Sequence, residues 1–392
     1  MGKTTKKGLL LILIVIFLIS VPLGCGNSDR GEETAPAVIS VWYSLSGAQA
    51  DELLKQCSQI MSAHPDLVIK ADYLAESEFV EKTWQLQAGG EGPEIFVTSG
   101  SIMDQLFSKG ALSPVLAQSD HLFQPAKVRY SSHEQPYALP LLTDVPLLFY
   151  RTDLVEAPVN LNDLLARRTA IYAEKLNISL LSGWWKAEGG GFVSGQNPMI
   201  NTANNLAFLN HISTLRAEGI VKEDPQAVEK FMKGEENYLL AWGSTVQTLT
   251  ANQVSWGCVS FASLLGDNAK AVTGRSVCLA NSSTKSAAGL HSKIQLVEEE
   301  LLKPQVAEAL SIPAKLLPAN DQYYAGQQNQ FIKNEVAKAL TTAWGIEVSS
   351  LELKMLPILE NAFQDSIFGG GSAETALEQA QQQLTVYLSS QK

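Results

Sequence analysis

The sequence predicts a two-lobed α/β protein in which each lobe is a doubly wound sheet flanked by helices. Three features lead to that expectation. From residue 38 onward, short apolar runs of strand length alternate with amphipathic helical stretches, the pattern of a sheet covered by helices. The chain has 392 residues, more than one ordinary core accommodates, which suggests two domains. Residues 137–154, YALPLLTDVPLLFYRTDL, form an apolar extended passage interrupted by Pro140 and Pro146. Proline cannot donate to a sheet ladder, so this is not an uninterrupted central strand. It reads as a segment that leaves one folded unit at Pro140 and enters another by Leu147. Its one carboxylate before the second unit, Asp144, is costly to bury unpaired. Asp144 is therefore expected in a crevice between the lobes, within reach of ligand or water.

The elements follow in order. Residues 38–43, VISVWY, read as a buried strand. Leu53, Leu54, Cys57, Ile60 and Met61 then share one helical face, with Ser46 as the expected N-cap and Pro65 as the stop. A strand over 68–73, a helix from about Ser77 and a glycine-rich turn lead to the strand EIFVT at 94–98. A helix over 103–109 ends at Gly110. Ligands bind beyond the carboxyl ends of strands in such sheets. Those ends carry Trp42, Tyr43 and Ser44, with Ser46 close behind, and Ser99, Gly100 and Ser101. Trp84 lies on a helix and is expected in the core.

In the second unit a short helix is expected over 160–167. Trp184 and Trp185 fall in a glycine-flanked stretch read as a loop, where both cannot easily be buried, so one of them is expected to line the site. Thr202 caps a helix that Gly219 closes. The strand YLLAW at 238–242 is followed by Gly243 and Ser244, and its end places Trp242, Gly243 and Ser244 among the candidate ligand residues. A strand over 256–261 comes next, with Trp256 expected in the core. Residues 266–274 read as a second crossing and 276–283 as a return to the first lobe. The remainder is helical, with segments over 287–302, 351–363 (interrupted near Pro357) and 373–388.

Composition bounds the function. Hydrophobic content of 45 % and charged content of 18 % suit a soluble globular protein. A net charge of −11 argues against a nucleic-acid partner, because phosphate binding needs a basic surface. No G-x-S-x-G elbow, phosphate loop or H-E-x-x-H is present, and the five histidines are scattered, so neither catalysis, a metal nor a cofactor is expected. Lys3, Lys6 and Lys7 precede an apolar run over residues 8–21, too short to span a bilayer comfortably. Gly24 then precedes Cys25. This resembles a bacterial lipoprotein signal over residues 1–24, with a lipid added at Cys25, although Pro22 stands where an aliphatic residue is usual. Residues 25–37 read as a flexible tether. Cys57, Cys258 and Cys278 remain, an odd number that completes no disulfide framework, and a Cys258–Cys278 pair is left open.

The series VWYSLSG, GGEGPEIFVTSG, KGALSPV, the 137–154 passage, GGGFVSGQNPMINTANNLAFLNHISTLRAEGIV, FMKGEENYLLAWGS and GGGSAETALEQAQQQL resembles the family-1 extracellular solute-binding proteins of ABC importers, the group that includes the maltose-binding protein. The resemblance runs over nearly the whole chain beyond the leader. It implies a type II-like periplasmic-binding-protein fold, with lobe 1 over 38–140 and 271–315 and lobe 2 over 145–265 and 320–392. Hinge crossings are expected at 141–144, 266–270 and 316–319. It implies an extracytoplasmic monomer, anchored by its N-terminal lipid, that captures a solute by lobe closure and delivers it to ABC permease subunits. The implied ligand is a sugar or short oligosaccharide. A non-sugar solute such as a polyamine or peptide, or a non-transporting sensor role, are the alternatives. Asp144 stands where relatives carry a sugar-binding glutamate, one methylene longer. Ser99 to Ser101 replace a charged pair, Thr245 stands in place of one stacking tryptophan, with Trp242 close by, and Leu356 lies near the position of another. A long maltodextrin is thus not the expected ligand.

Overall fold

The computed structural model describes residues 35–194, 197–284 and 289–390. The leader over 1–24, Cys25, nearly all of the tether and the expected helix start at residue 287 lie outside the described residues.

Strand β1 (Ala37–Tyr43) is followed by helix α1 (Ala48–Ala63), which buries Leu53, Gln56, Cys57 and Ile60. Strand β2 (Leu67–Tyr73) pairs parallel with β1, Ala37 opposite Leu67 and Tyr43 opposite Tyr73. Helix α2 (Glu76–Ala88) leads to β3 (Ile95–Ser99), which pairs parallel with β1 on its other side. Helix α3 (Gly100–Ser108) begins directly at the end of β3, three residues before the expected start. Strand β4 (Ala138–Thr143) belongs to the same sheet, and β5 (Pro146–Arg151) opens the second. The chain therefore changes sheets at Asp144 and Val145.

The second sheet adds β6 (Ile171–Ala173), then helices α4 (Ile178–Ala187) and α5 (Ala203–Ala217), β7 (Val221–Glu223), β8 (Tyr238–Trp242) and β9 (Trp256–Val259). Its order is β7-β6-β8-β5-β9, with β5 antiparallel to both neighbours. Strand β10 (Val277–Ser282) returns to the first sheet, antiparallel between β3 and β4. After helix α6 (Pro304–Ala314), β11 (Leu317–Pro318) pairs with β4. Helices α7 (Leu351–Ile367) and α8 (Ala373–Ser390) pack on the second core.

Each sheet has its own core. Alternate residues of the first sheet point to opposite faces. Ile39, Val41, Val97 and Leu279 pack with α1 and α6 on one side, and Phe96, Ala138 and Cys278 pack with Phe79 and Met103 on the other. The second core gathers Phe149, Trp185, Phe208, Leu239, Phe363 and Leu377. The architecture is thus two-lobed and α/β, but both sheets are mixed rather than parallel, because β10 and β4 in one and β5 in the other run against their neighbours.

Several local expectations fail for identifiable reasons. Gly47, at φ 54°, is the N-cap of α1, and Ser46 is not. Helix α7 runs on through Pro357. Trp84 is 51 % exposed, with the Lys109 ammonium 5.5 Å from its ring centroid, so the stripe it sits on is not all core. Trp184 and Trp185 lie not in a loop but on α4, both buried. The glycines around them permit this packing: a β-carbon at Gly183 would collide with the Phe261 ring, and one at Gly190 with the Trp185 indole. Trp256 is buried, edge-on to Phe149. The three cysteines are buried and free, with Cys258 and Cys278 on different sheets.

Glu298 is a fully buried carboxylate behind the first sheet, accepting from the Leu116 and Ala117 N–H groups at 3.0 and 2.7 Å. Burial pushes its pKa up to about 7, against the pull of those donors. A raised carboxyl pKa stabilises the fold fully below about 4.5 and loses that contribution as pH rises through about 7. Glu298→Gln keeps the acceptor without the charge. We expect it to remove about 2 kcal/mol of the stability difference between pH 5 and pH 8, read by urea unfolding at both.

Candidate functional site

The carboxyl ends of β1, β2 and β3 and the amino end of the antiparallel β10 meet at one edge of the first sheet. A cleft of about 790 Å³ opens there. Ser44, Leu45, Ser46 and Gln49 line it from the β1–α1 turn, and Tyr73, Glu76 and Ser77 from the β2–α2 turn. Ser99, Gly100, Ser101 and Asp104 come from the β3–α3 junction, and Gly274, Arg275, Ser276 and Val277 from the approach to β10. Arg129, Ala314 and Leu316 complete the wall.

The serine positions are fixed by the backbone beneath them. The Ser44 and Thr98 hydroxyls are 2.6 Å apart, and those of Ser99 and Ser101 are 3.0 Å apart. The Gly100 N–H donates to the Ser276 carbonyl at 2.9 Å, and the Tyr130 hydroxyl donates to the Gly100 carbonyl at 3.0 Å. A β-carbon at Gly100 would run into the Ser276 hydroxyl, so glycine lets β3 and the β10 approach cross closely without displacing that hydroxyl. Arg129 grips Asp104 with two hydrogen bonds, Nε to Oδ1 at 2.9 Å and Nη2 to Oδ2 at 2.5 Å. This bidentate pair raises the arginine pKa and occupies the carboxylate. Arg275 is exposed and makes no salt bridge among the described residues.

Of the residues expected at the site, Ser44, Ser46, Ser99, Gly100 and Ser101 line this cleft. Tyr43 does not. It points into the core, 6 % exposed, and Trp42 is half-buried with its ring edge toward Phe96. Alternation along β1 sends the two rings to opposite faces of the sheet, Tyr43 into the core on the α1 side and Trp42 against the core around Phe96. Trp184 and Trp185 are core residues of α4. Their indole N–H groups are taken by Glu188 and Asn205.

Asp144, Trp242, Gly243 and Ser244 form a second group, where the chain passes between sheets. Asp144 is 1 % exposed, not open to a crevice. Its Oδ1 accepts from the N–H groups of Val145 and Ser244, both at 3.0 Å, while Oδ2 is buried without a hydrogen-bond partner among the described residues. Its carbonyl accepts from Gly274 N–H at 2.8 Å, and Gly243 N–H donates to the Val145 carbonyl at 2.7 Å. The Trp242 ring lies against Gly274, where a β-carbon would clash. Burial raises the Asp144 pKa to about 6, opposed by hydrogen bonds from Ser244 and Val145 and by the charge of Arg275. Sequence reasoning missed Tyr73 and Arg275. The strand-end argument applied to β2, and to a basic residue at the mouth of an antiparallel strand, would have found both.

This arrangement, two separately cored lobes with a polar cleft beyond the strand ends, is that of a two-lobed binding protein. The chain belongs to the bacterial extracellular solute-binding protein family, whose model matches residues 55–342. That is a family of binding proteins rather than enzymes, and it acts outside the cytoplasm. No curated protein matches the sequence. Among solved structures, the fold is similar to a cyclo/maltodextrin-binding protein complexed with maltotetraose (TM-score 0.73, 15 % identity, 91 % of this chain and 98 % of that one). It is also similar to the cyclic alpha-maltosyl-1,6-maltose binding protein from Arthrobacter globiformis (TM-score 0.71, 15 % identity, 90 % and 98 %). A third is the maltose/maltodextrin-binding domain from Bdellovibrio bacteriovorus bound to maltotriose (TM-score 0.64, 15 % identity, 90 % and 100 %).

Removing the Asp144 carboxyl strands two buried N–H donors, so Asp144→Ala is expected to cost about 3 kcal/mol. Asp144→Asn keeps the Oδ1 acceptor and is expected to cost about 1 kcal/mol or less at pH 5. The native carboxyl stabilises below about 4 and loses that contribution as pH rises through about 6, so the Asn variant should also flatten the fall in stability between pH 4 and pH 7. Denaturant unfolding across that range reads both effects.

Proposed function

We propose that this protein is the solute-capturing component of an ABC importer and that its ligand is a sugar or short oligosaccharide. The observation that carries the reading is the cleft at the strand ends, rich in hydroxyl groups and set beside the segments that pass between the two sheets. The serine hydroxyls suit the hydroxyl rim of a saccharide, and the exposed Tyr73 ring, 53 % accessible, suits one of its apolar faces. Relatives of the same fold bound to maltotriose and maltotetraose support the sugar class.

The cleft is lined by elements of the first lobe. A ligand seated there would favour a closed form by adding contacts from the second lobe, with bending at 141–144, 266–270 and 316–319. Ser44, Ser46, Ser99, Gly100 and Ser101 are the contacts we assign on the first lobe. Trp242, at the sheet crossing, is the residue we assign to the second. The closed form would deliver its cargo to permease subunits in the membrane. A lipid at Cys25, following removal of residues 1–24, would hold the monomer at the membrane while residues 25–37 let it reach the permease.

Filling the cleft tests the assignment. Ser101 is exposed, so Ser101→Trp should leave the melting temperature within about 2 °C of the parent. It should weaken saccharide binding, measured by calorimetry against maltose and maltotriose, by about a hundredfold or more. Saccharide affinity unchanged in this variant would remove the cleft from the proposal.

A further inference from the structure

Resting on the saccharide reading above, we propose that the ligand carries an acidic group, a carboxylate or phosphate, which Arg275 receives at the mouth of the cleft. Four charged side chains line the cleft: Glu76, Asp104, Arg129 and Arg275. Arg129 and Asp104 spend their charges on each other in a bidentate pair. Glu76, at the first residue of α2, makes no salt bridge with Arg275 among the described residues. Arg275, whose charge also acts on the buried Asp144, makes no salt bridge among the described residues and is the lining cation left for an incoming group, within a protein whose net charge is −11. A guanidinium presents a planar fork of donors that fits a carboxylate or phosphate in a bidentate way.

The rest of the wall is donor-rich in the same sense. Helices α1, α2 and α3 all begin at the cleft, and none carries a side-chain cap at its N-terminus. Their positive dipole ends and first-turn N–H groups favour an anion nearby. Six serine hydroxyls add donors that pivot to suit it. By contrast, the features a purely neutral sugar relies on are sparse. Among the described residues Tyr73 is the one aromatic side chain of the lining, and the Asp104 carboxylate is already occupied.

The test uses the full chain in calorimetry with probes matched at one group. D-Glucose and maltotriose are neutral, D-glucuronate and a glucuronate-ended trisaccharide carry a carboxylate, and D-glucose 6-phosphate carries a phosphate. The acidic probes should bind at least about tenfold tighter than their neutral counterparts, and the preference should shrink as salt is raised. Which acidic arm binds identifies carboxylate or phosphate as the source. Arg275→Gln should weaken the acidic probes at least about tenfold, to the level of their neutral counterparts, and Arg275→Lys should keep part of the preference. Neutral probes binding as tightly as acidic ones, with no effect of Arg275→Gln, would overturn the acidic-ligand assignment and leave the saccharide reading standing. Binding of no saccharide of either kind would overturn both.

Discussion

The architecture depends on how the chain is tied where it leaves one sheet for the other. Asp144 is buried there, and its Oδ1 collects N–H groups from two separate segments, Val145 next to it in the passage between β4 and β5 and Ser244 after β8. Its carbonyl takes a third, from Gly274 on the return path. Leu317 pairs with Thr143 immediately beside it, so the third passage is tied to the same point. A buried carboxylate is costly unless its lone pairs are satisfied. Here Oδ1 accepts two hydrogen bonds and Oδ2 accepts none among the described residues. The raised pKa is the signature of that incomplete compensation.

This knot fixes where the cleft can be. Because Gly274 is held to Asp144, the next residues, Arg275 and Ser276, arrive at the carboxyl ends of β1 and β3. Gly100 lets the two segments touch, and Tyr130 closes the contact from behind. The polar lining therefore follows from strand direction: parallel β1, β2 and β3 deliver their turns to one edge, and antiparallel β10 delivers its start to the same edge. The cleft is a property of the sheet, and the side chains on it set what it holds. With 15 % identity to the solved relatives, the fold carries over and the lining does not follow from it.

Much of this was legible in the sequence. Period and turn residues were enough for β1, β2, β3, α1 and α5, including the Thr202 cap, whose side chain accepts from Asn205 N–H. The passage at Asp144 was readable because two prolines flank it. Its burial was not readable, because the compensating donors come from Ser244, a hundred residues away. The site was half legible. The serines at strand ends followed from a rule about sheets, whereas the choice among tryptophans did not. Trp184 and Trp185 looked exposed beside glycines, yet both rings are buried, and Gly190 leaves the room that the Trp185 indole fills. The antiparallel course of β10 carries no mark in composition, which is why Arg275 was not associated with β1 and β3.

The central claim is that a saccharide in the cleft draws the two lobes together about the passage at Asp144. Small-angle X-ray scattering of the protein alone and saturated with its tightest-binding saccharide tests this most directly. The account predicts a smaller radius of gyration and a shorter maximum dimension in the saturated sample. Superimposable profiles, with the saccharide shown to be bound by calorimetry on the same samples, would contradict it.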